Sequence, residues 1–177
     1  MDENKQINIT GQNNRYQIKK LTQEKTISKR RNISEIEKNS CFDNHELQKQ
    51  LLLDPLLHEK EYSFILSELK RKMTSYKQQD LTKDRYNSDA FINIDYVIQL
   101  LKESKLTCCF CSKNVFLLYG FTRDLKQWTL DRINNNEGHN LNNVLIACLE
   151  CNLKRRTTNK DAFMFTKNLT ITKDEYC

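Results

Sequence analysis

The chain has 177 residues, of which 38% are hydrophobic and 29% are charged, and it contains three glycines and a single proline. This composition excludes collagen-like and flexible-linker proteins, and no apolar run approaches the roughly 20 residues of a membrane-spanning helix. The mean hydropathy is -0.75, the sequence pI is about 8.9 and the net charge is +6. A polyanion such as DNA is therefore the first partner to consider, and no membrane partner is expected.

The seven cysteines bear on the cellular compartment. The first ten residues contain no apolar segment of the kind that a secretion signal needs. We therefore expect a reducing compartment, in which thiols bind metals or stay free. The sequence predicts an intracellular protein, either cytoplasmic or nuclear.

Residues 1–40 are polar and include the basic cluster Lys29, Arg30 and Arg31. Their isolated apolar residues keep no regular spacing. Such a segment buries too little apolar surface to offset the entropy lost on ordering. We predict a disordered basic arm over residues 1–40.

Residues 41–80 are predicted to form a helical region. Asp43 followed by Glu46 resembles a capping box, which indicates a short helix that ends near Pro55. A second helix follows, and its apolar stripe consists of Tyr62, Ile65, Leu66, Leu69, Met73 and Tyr76. The stripe either packs on the protein's own core or docks a protein partner through residues 43–79. His45 and His58 are interpreted as surface residues.

A domain boundary is placed at residues 80–88, where the composition turns polar. Ser88 or Asp89 is then expected to cap a third helix. One face of that helix carries Phe91, Ile94, Val97, Ile98 and Leu101. We expect this helix to lead the chain into a second domain over residues 88–177.

The second domain is predicted to contain a β-hairpin. Residues 115–119 are apolar and β-prone, and the strands of the hairpin are predicted at residues 128–133 and 144–147. A last helix is expected to begin near residues 149–151. The apolar residues expected to fold back on the core after it are Phe163, Phe165, Leu169 and Ile171.

Two Cys-x-x-Cys pairs flank the predicted hairpin, namely Cys108 with Cys111 and Cys148 with Cys151. The two-residue gap lets both sulfurs of a pair reach one ion, and four thiolates are the number that a closed tetrahedral zinc site takes. Cys109 does not give this gap and is interpreted as a packing residue or a spare thiol. The sequence predicts a structural zinc site.

The predicted hairpin also carries a set of characteristically spaced residues. They are Leu130, Asp131, Arg132, Ile133, Gly138, His139, Asn143, Val144, Cys148, Cys151 and Asn152. This set resembles the HNH endonuclease family, the ββα-metal fold, in the branch whose first strand reads Leu-Asp-Arg-Ile. The likeness covers about residues 91–160. It implies an α+β protein, in which a helical N-terminal part precedes a zinc-stabilised HNH-like module of treble-clef type.

The resemblance also implies roles for individual residues. Asp131 at the end of the first strand and Asn152 on the following helix match the ligands of a divalent ion, and Asn143 matches the residue that orients the catalytic group. Oxygen ligands suit Mg²⁺ or Mn²⁺, which stabilises the pentacovalent phosphate and the leaving oxyanion. The implied activity is divalent-metal-dependent hydrolysis of phosphodiester bonds in DNA.

The sequence departs from the family at the general base. The family has a histidine directly after the acidic ligand, and this chain has Arg132 there. A guanidinium stays protonated and cannot take a proton from water. Either another residue is the base, for which His139 is the candidate, or no hydrolysis occurs. In both cases Arg132 could hold a phosphate oxygen.

The same region also looks like the small zinc-binding late transcription factors of large DNA viruses. That resemblance implies a DNA-binding protein without catalysis, located in a viral factory or a virion. In both interpretations we expect Lys154, Arg155 and Arg156, which follow the second cysteine pair, to contact phosphates. The choice between nuclease and DNA-binding protein stays open at this point.

Overall fold

The computed structural model describes residues 44–56 and 59–169, together with the single positions 11, 14 and 18. Several predictions lie outside these described residues, namely most of the arm over residues 1–40, the interpretation of His58 and the packing of Ile171. The described part combines helices with one small two-stranded sheet. The predicted mixture of α and β structure is therefore confirmed.

The elements of the described part follow one another along residues 44–169. The helices are α1 (His45–Leu53), α2 (Glu59–Thr82), α3 (Ile94–Glu103), α4 (Leu149–Arg155) and α5 (Lys160–Asn168). Between α3 and α4 lie the strands β1 (Trp128–Arg132) and β2 (Val144–Cys148). None of these described helices is both long enough and apolar enough to cross a bilayer.

Helix α1 begins directly after Asn44, whose side chain accepts a hydrogen bond from the Leu47 amide at 3.0 Å. This bond satisfies a backbone donor that the first turn of a helix leaves unpaired. The cap predicted at Asp43 is therefore at Asn44, and Asp43 itself lies outside the described residues. His45 was expected at the surface, but its side chain is only 10% exposed and its Nε2 lies 3.1 Å from the Leu106 carbonyl oxygen.

Helix α3 is capped by Asn93, whose side chain accepts a hydrogen bond from the Tyr96 amide at 2.8 Å. The prediction that Ser88 or Asp89 caps this helix is wrong. The side chain of Asn87 instead accepts hydrogen bonds from the amides two and three residues further on, which closes a turn there.

Phe91 lies before α3 rather than on its apolar face, and it pairs with Asn140 in an isolated β-bridge. The adjacent Ile92 amide donates to the His139 carbonyl at 3.1 Å. These contacts fix the start of α3 on the loop that joins the two strands.

Strands β1 and β2 form an antiparallel hairpin, in a register that pairs Trp128 with Cys148 and Arg132 with Val144. Four of the five residues in each strand are buried, and Trp128 and Leu130 of β1 and Val144 and Ile146 of β2 belong to the core. Because α4 follows β2 without a loop, the first turn of α4 lies beside the hairpin. Both cysteines of the second pair thus lie at this junction.

Residues 115–119 are buried except for Phe116, which is partly exposed, and they form no strand in the described structure. The amides of Leu117 and Leu118 both donate to Oε1 of Gln48, at 2.7 and 3.1 Å. Nε2 of Gln48 in turn donates to the Leu118 carbonyl at 3.1 Å. A side chain of α1 therefore makes the hydrogen bonds that a neighbouring strand would otherwise make.

The apolar stripe of α2 packs inside the protein. Ile65 and Leu69 are buried in a cluster that also contains Leu101, Trp128 and Phe163. The described parts of the predicted regions 41–80 and 88–177 therefore share one core, which favours the first of the two roles considered for the stripe. The boundaries of the domains and a protein partner for residues 43–79 stay predictions.

Helix α5 is an element that the sequence did not predict. Its Phe163 packs edge-to-face on Phe110, with ring centroids 5.1 Å apart. Phe165 and Leu169 are 67% and 52% exposed. The prediction that this tail folds back on the core is right for Phe163 and wrong for Phe165 and Leu169.

Candidate functional site

The four predicted cysteines lie together at one end of the hairpin. The sulfur atoms of Cys108, Cys111, Cys148 and Cys151 are all within 4.8 Å of one another, and those of Cys111 and Cys148 are 3.8 Å apart. A tetrahedral ion with Zn–S bonds of about 2.3 Å places its sulfurs about 3.8 Å apart. The cluster could therefore hold a metal ion such as zinc.

The backbone around the cysteines fixes this arrangement. The Cys109 amide donates to the Ile146 carbonyl at 3.0 Å, which joins the first pair to β2. The Cys151 amide donates to the Cys148 sulfur at 3.4 Å, so the second pair caps α4. The pKa of Cys108 is strongly lowered because the Cys109 and Cys148 thiols donate to its sulfur. The hydrogen bond to Cys108 raises the pKa of Cys148, and burial raises that of Cys151, so the four thiols differ in how readily they give the thiolates that a metal ion binds.

A second feature is a cavity of about 1030 Å³ at the other end of the hairpin. It is lined by residues of α2, the end of β1, the following loop and the segment after α4. Among the lining residues are Asp131, Arg132, His139, Asn152 and Arg156. Four of the five predicted catalytic residues therefore line the same cavity, although 21 positions separate the first from the last in the sequence.

Asp131 presents an unpaired carboxylate oxygen in this region. Its side chain is buried, and its Oδ1 accepts a hydrogen bond from Nη1 of Arg155 at 2.8 Å. Its Oδ2 is buried and has no hydrogen-bond partner among the residues that the structure describes. Burial raises the pKa of Asp131 to about 6, and the Arg155 guanidinium limits the rise. A buried acceptor without a partner is costly, so Oδ2 suits a ligand such as a divalent cation.

Asn152 is oriented by hydrogen bonds from its amide nitrogen. Nδ2 donates to Oγ1 of Thr129 at 3.1 Å and to the Leu130 carbonyl at 3.3 Å. Since both bonds use the nitrogen, the amide oxygen is the atom that remains for a metal ion. One carboxylate and one amide oxygen fit Mg²⁺ or Mn²⁺, which usually keeps several water ligands and takes others from a substrate phosphate.

His139 is held by Asp80, a residue at the end of α2. The side chain of Asp80 is fully buried, and its two oxygens lie 2.9 and 3.0 Å from Nδ1 of His139. The His139 amide also donates to Oδ2 of Asp80 at 2.6 Å. Burial lowers the pKa of His139, and the Asp80 carboxylate opposes that shift. A neutral imidazole is the form that can accept a proton.

Two further side chains surround this pair. The ring of Tyr76 lies 4.5 Å from that of His139, centroid to centroid, and its hydroxyl accepts a hydrogen bond from the Leu130 amide at 3.1 Å. Nη1 of Arg132 lies 3.6 Å from Oδ1 of Asp80 and donates to the Glu137 carbonyl at 3.2 Å. Arg132 therefore lines the cavity as a fixed positive charge.

Asn143 does not line the cavity but fixes the loop that carries His139. Its Nδ2 donates to the carbonyls of Asn134 and Gly138, at 3.1 and 2.9 Å, and its Oδ1 accepts from the Asn134 amide at 2.8 Å. These three bonds close residues 134–143 into a compact loop. An orienting role for Asn143, which the resemblance implied, is compatible with this position.

The three basic residues at the end of α4 differ in their exposure to solvent and in their partners. Arg155 is 1% exposed and pairs with Asp131, so the prediction that it contacts a phosphate at the surface is wrong. Lys154 is exposed and pairs with Glu150 at 2.6 Å. Arg156 is exposed and lines the cavity. Lys154 and Arg156 stay candidates for phosphate contacts.

Asp80 and Tyr76 are the two site residues that the sequence analysis missed. Asp80 was interpreted as the start of a polar boundary. A signal was nevertheless present, because Asp80 follows Tyr76 by four residues and so continues the apolar stripe of α2. A carboxylate on the buried face of a helix needs a partner, and this indicates a functional or strongly paired group.

Comparisons of this chain with protein-family models, with curated proteins and with solved structures give no match.

Proposed function

We propose that this chain is a divalent-metal-dependent endonuclease of HNH type, whose fold is stabilised by a zinc ion. The observation that carries the proposal is the cavity itself. Within the described part of the chain, it combines a buried carboxylate oxygen that has no hydrogen-bond partner, on Asp131, with a histidine that is oriented by a carboxylate, His139. A metal ligand beside an oriented base is the arrangement that phosphodiester hydrolysis needs.

The zinc part of the proposal rests on the four thiols. Cys108 and Cys111 precede the hairpin, and Cys148 and Cys151 follow its second strand. An ion bound by all four joins two segments that are 37 residues apart. Zinc is preferred over harder cations because all four ligands are sulfur.

The catalytic part assigns steps to residues of the chain. Asp131 and Asn152 hold the divalent ion, which when bound stabilises the charge that develops on the phosphate. Nε2 of His139 takes a proton from a water molecule, whose oxygen forms a bond to phosphorus. The bond from phosphorus to the leaving oxygen breaks, and that oxygen takes a proton from solvent. Arg132 and Arg156 hold phosphate oxygens in the cavity.

The substrate class follows from the charges that face the cavity. Lys83, Arg85, Arg132 and Arg156 line it, whereas Asp131 is its one acidic lining residue in the described structure. An excess of cations around a metal ligand suits a polyanion with closely spaced phosphates. DNA is therefore the substrate we propose.

The test is nicking of supercoiled plasmid DNA in the presence of Mg²⁺ or Mn²⁺. We expect the wild type to nick, and Asp131→Asn and His139→Gln to lose nicking by roughly 10²-fold or more. Asp95→Asn, which changes an exposed carboxylate on α3, is the matched control and should nick normally. A zinc-loaded wild type that shifts DNA but leaves it uncut would contradict the proposal.

A DNA-binding protein without catalysis is the second candidate. The observation that favours it is the ion pair between Arg155 and Asp131, because a neutralised carboxylate attracts a divalent ion less strongly. In that case Arg132 replaces the usual base, and the cavity binds a phosphate without cutting it. The late-transcription-factor interpretation belongs to this candidate, and binding without nicking in the same experiment would favour it.

A further inference from the structure

We propose that Asp80 is the positioning residue of the candidate base His139, so that helix α2 completes the active site. The inference rests on the proposed nuclease function, because it assigns how the base of that reaction is held. Asp80 lies outside the hairpin and its flanking cysteines, and it precedes His139, the residue that it contacts, by 59 positions.

Within the described structure, the hydrogen bonds of the Asp80 side chain all go to one residue, His139, whereas Arg132 lies near this carboxylate only as a charge. Both of its oxygens lie within 3.0 Å of Nδ1 of His139, and Oδ2 also accepts the His139 amide. The Asp80 side chain is fully enclosed. A carboxylate that is buried this deeply is retained only when its partners compensate for the water that it loses.

These contacts determine which nitrogen of His139 carries the proton. An ionised carboxylate can only accept hydrogen bonds, so the Nδ1 that faces Asp80 has to be the donor. In the neutral ring, Nε2 is then left with its lone pair. This is the nitrogen that could accept a proton from water, and His139 lines the cavity that also contains Asp131.

Gly138 gives independent evidence that the end of α2 and the loop carrying His139 are built to lie close together. A Cβ atom at Gly138 would lie 2.5 Å from the Arg85 carbonyl oxygen and 2.9 Å from Oδ2 of Asp80. Real side chains essentially never approach a backbone atom so closely. The absence of a side chain at Gly138 is therefore what lets the end of α2 reach the loop that carries His139.

The charged and titratable groups around His139 come from two elements. Helix α2 and its C-terminal turn contribute Asp80, Tyr76 and Lys83, and β1 contributes Arg132. The segment before α3 contributes the Ile92 backbone amide, which donates to the His139 carbonyl. Nη1 of Arg132 also lies 3.6 Å from Oδ1 of Asp80, whereas Oδ2 is the oxygen that accepts the His139 backbone amide.

The decisive variant is Asp80→Asn, which preserves the shape of the side chain. If the amide oxygen of the new side chain keeps the bond to the His139 backbone amide, the new NH₂ group faces Nδ1 of the ring. Nδ1 then has to accept, so the proton moves to Nε2. The histidine stays in place, but the nitrogen needed for catalysis no longer has its lone pair.

The experiment combines imidazole ¹⁵N NMR spectroscopy with plasmid nicking in Mg²⁺. The chain has three histidines, and the His139 signals are assigned by their loss in His139→Gln. We expect the Nδ1–H tautomer in the wild type and the Nε2–H tautomer in Asp80→Asn. We also expect Asp80→Asn to lower the nicking rate roughly 10²- to 10⁴-fold with unchanged DNA affinity and zinc content.

Asp84→Asn is the matched control, because it makes the same change of charge on an exposed residue four positions away. Its positive φ of 55° is one that asparagine also tolerates, so its tautomer and nicking rate should equal those of the wild type. An Nε2–H tautomer in the wild type, or unchanged nicking by Asp80→Asn, would overturn the proposal.

The two proposals can fail separately. A wild type that shows the Nδ1–H tautomer but never nicks DNA would overturn the nuclease function and support the pairing of Asp80 with His139. A wild type that nicks DNA and whose rate does not respond to Asp80→Asn would support the nuclease function and overturn the role of Asp80.

Discussion

Replacing Arg155 by methionine tests the most deeply buried charge pair near the cavity. The guanidinium donates to Oδ1 of Asp131 and to the Arg132 carbonyl, both at 2.8 Å, and to the Ile133 carbonyl at 3.1 Å. Methionine fills a similar volume and removes all three bonds. Asp131 would then be a buried carboxylate without the cation that now donates a hydrogen bond to it.

The expected loss follows from the burial of both partners. Arg155 and Asp131 have side chains that are 1% and 6% exposed. Removal of one partner from a buried ion pair costs about 3–5 kcal/mol, because the remaining charge is left uncompensated. The loss should be smaller at pH 6 than at pH 8. Burial already raises the pKa of Asp131 to about 6, and without Arg155 it rises further, so Asp131 can take up a proton as the pH falls.

The assay is urea unfolding of the zinc-loaded protein, followed by circular dichroism at pH 6 and pH 8. Arg156→Met is the control, since it removes an exposed arginine at the next position and should change the free energy of unfolding by no more than about 0.5 kcal/mol. The double variant Asp131→Asn with Arg155→Met should regain part of the loss. A cost below about 1 kcal/mol at pH 8 would refute the account of this pair.

The remaining predictions concern zinc, a buried hydroxyl and pH. Cys111→Ser should lower the zinc content of the purified protein and its melting temperature, whereas Cys109→Ser should retain one zinc per chain, as measured by atomic emission. Tyr76→Phe should cost about 1–3 kcal/mol in the free energy of unfolding, because it leaves the buried β1 amide that now donates to the hydroxyl without a partner. The nicking rate at limiting Mg²⁺ should be level above about pH 7 and fall to about half near pH 6, because Asp131, whose pKa is about 6, becomes protonated there and loses its charge as a ligand. Burial lowers the pKa of His139, so protonation of this base adds to the fall only on further acidification. A rate that rises on acidification would contradict both assignments.

The hairpin and the cysteine cluster could be predicted because their signals are local. The first strand alternates apolar and polar residues, the second is a short apolar run, and the loop between them contains asparagines and a glycine. Each cysteine pair is defined by a gap of two residues. The one long-range inference was that the two cysteine pairs belong to the same site, and it followed from the four ligands that a structural zinc ion takes.

The pairings of Asp80 and Arg155 could not be predicted in the same way. Asp80 is a single carboxylate in a polar stretch, and its partner His139 lies 59 positions away. Arg155 stands between two other basic residues, and a run of positive charges is usually a solvated surface. Its burial depends on the direction of α4 relative to β2. In the direction observed, the side chain of Arg155 points toward the hairpin, whereas its neighbours Lys154 and Arg156 are exposed. Such differences arise from tertiary packing, which residue spacing alone does not specify.

The hydrogen bonds of Gln48 also have a consequence for aggregation. Residues 115–119 are five consecutive apolar residues with high β propensity, which is the kind of segment that nucleates cross-β assembly when its amides are exposed. Gln48 binds the amides of Leu117 and Leu118, so this segment does not offer those donors to a second molecule. Helix α1 thereby occupies two donors of this segment, and we expect a chain in which α1 is detached to form thioflavin-positive aggregates faster than the intact protein.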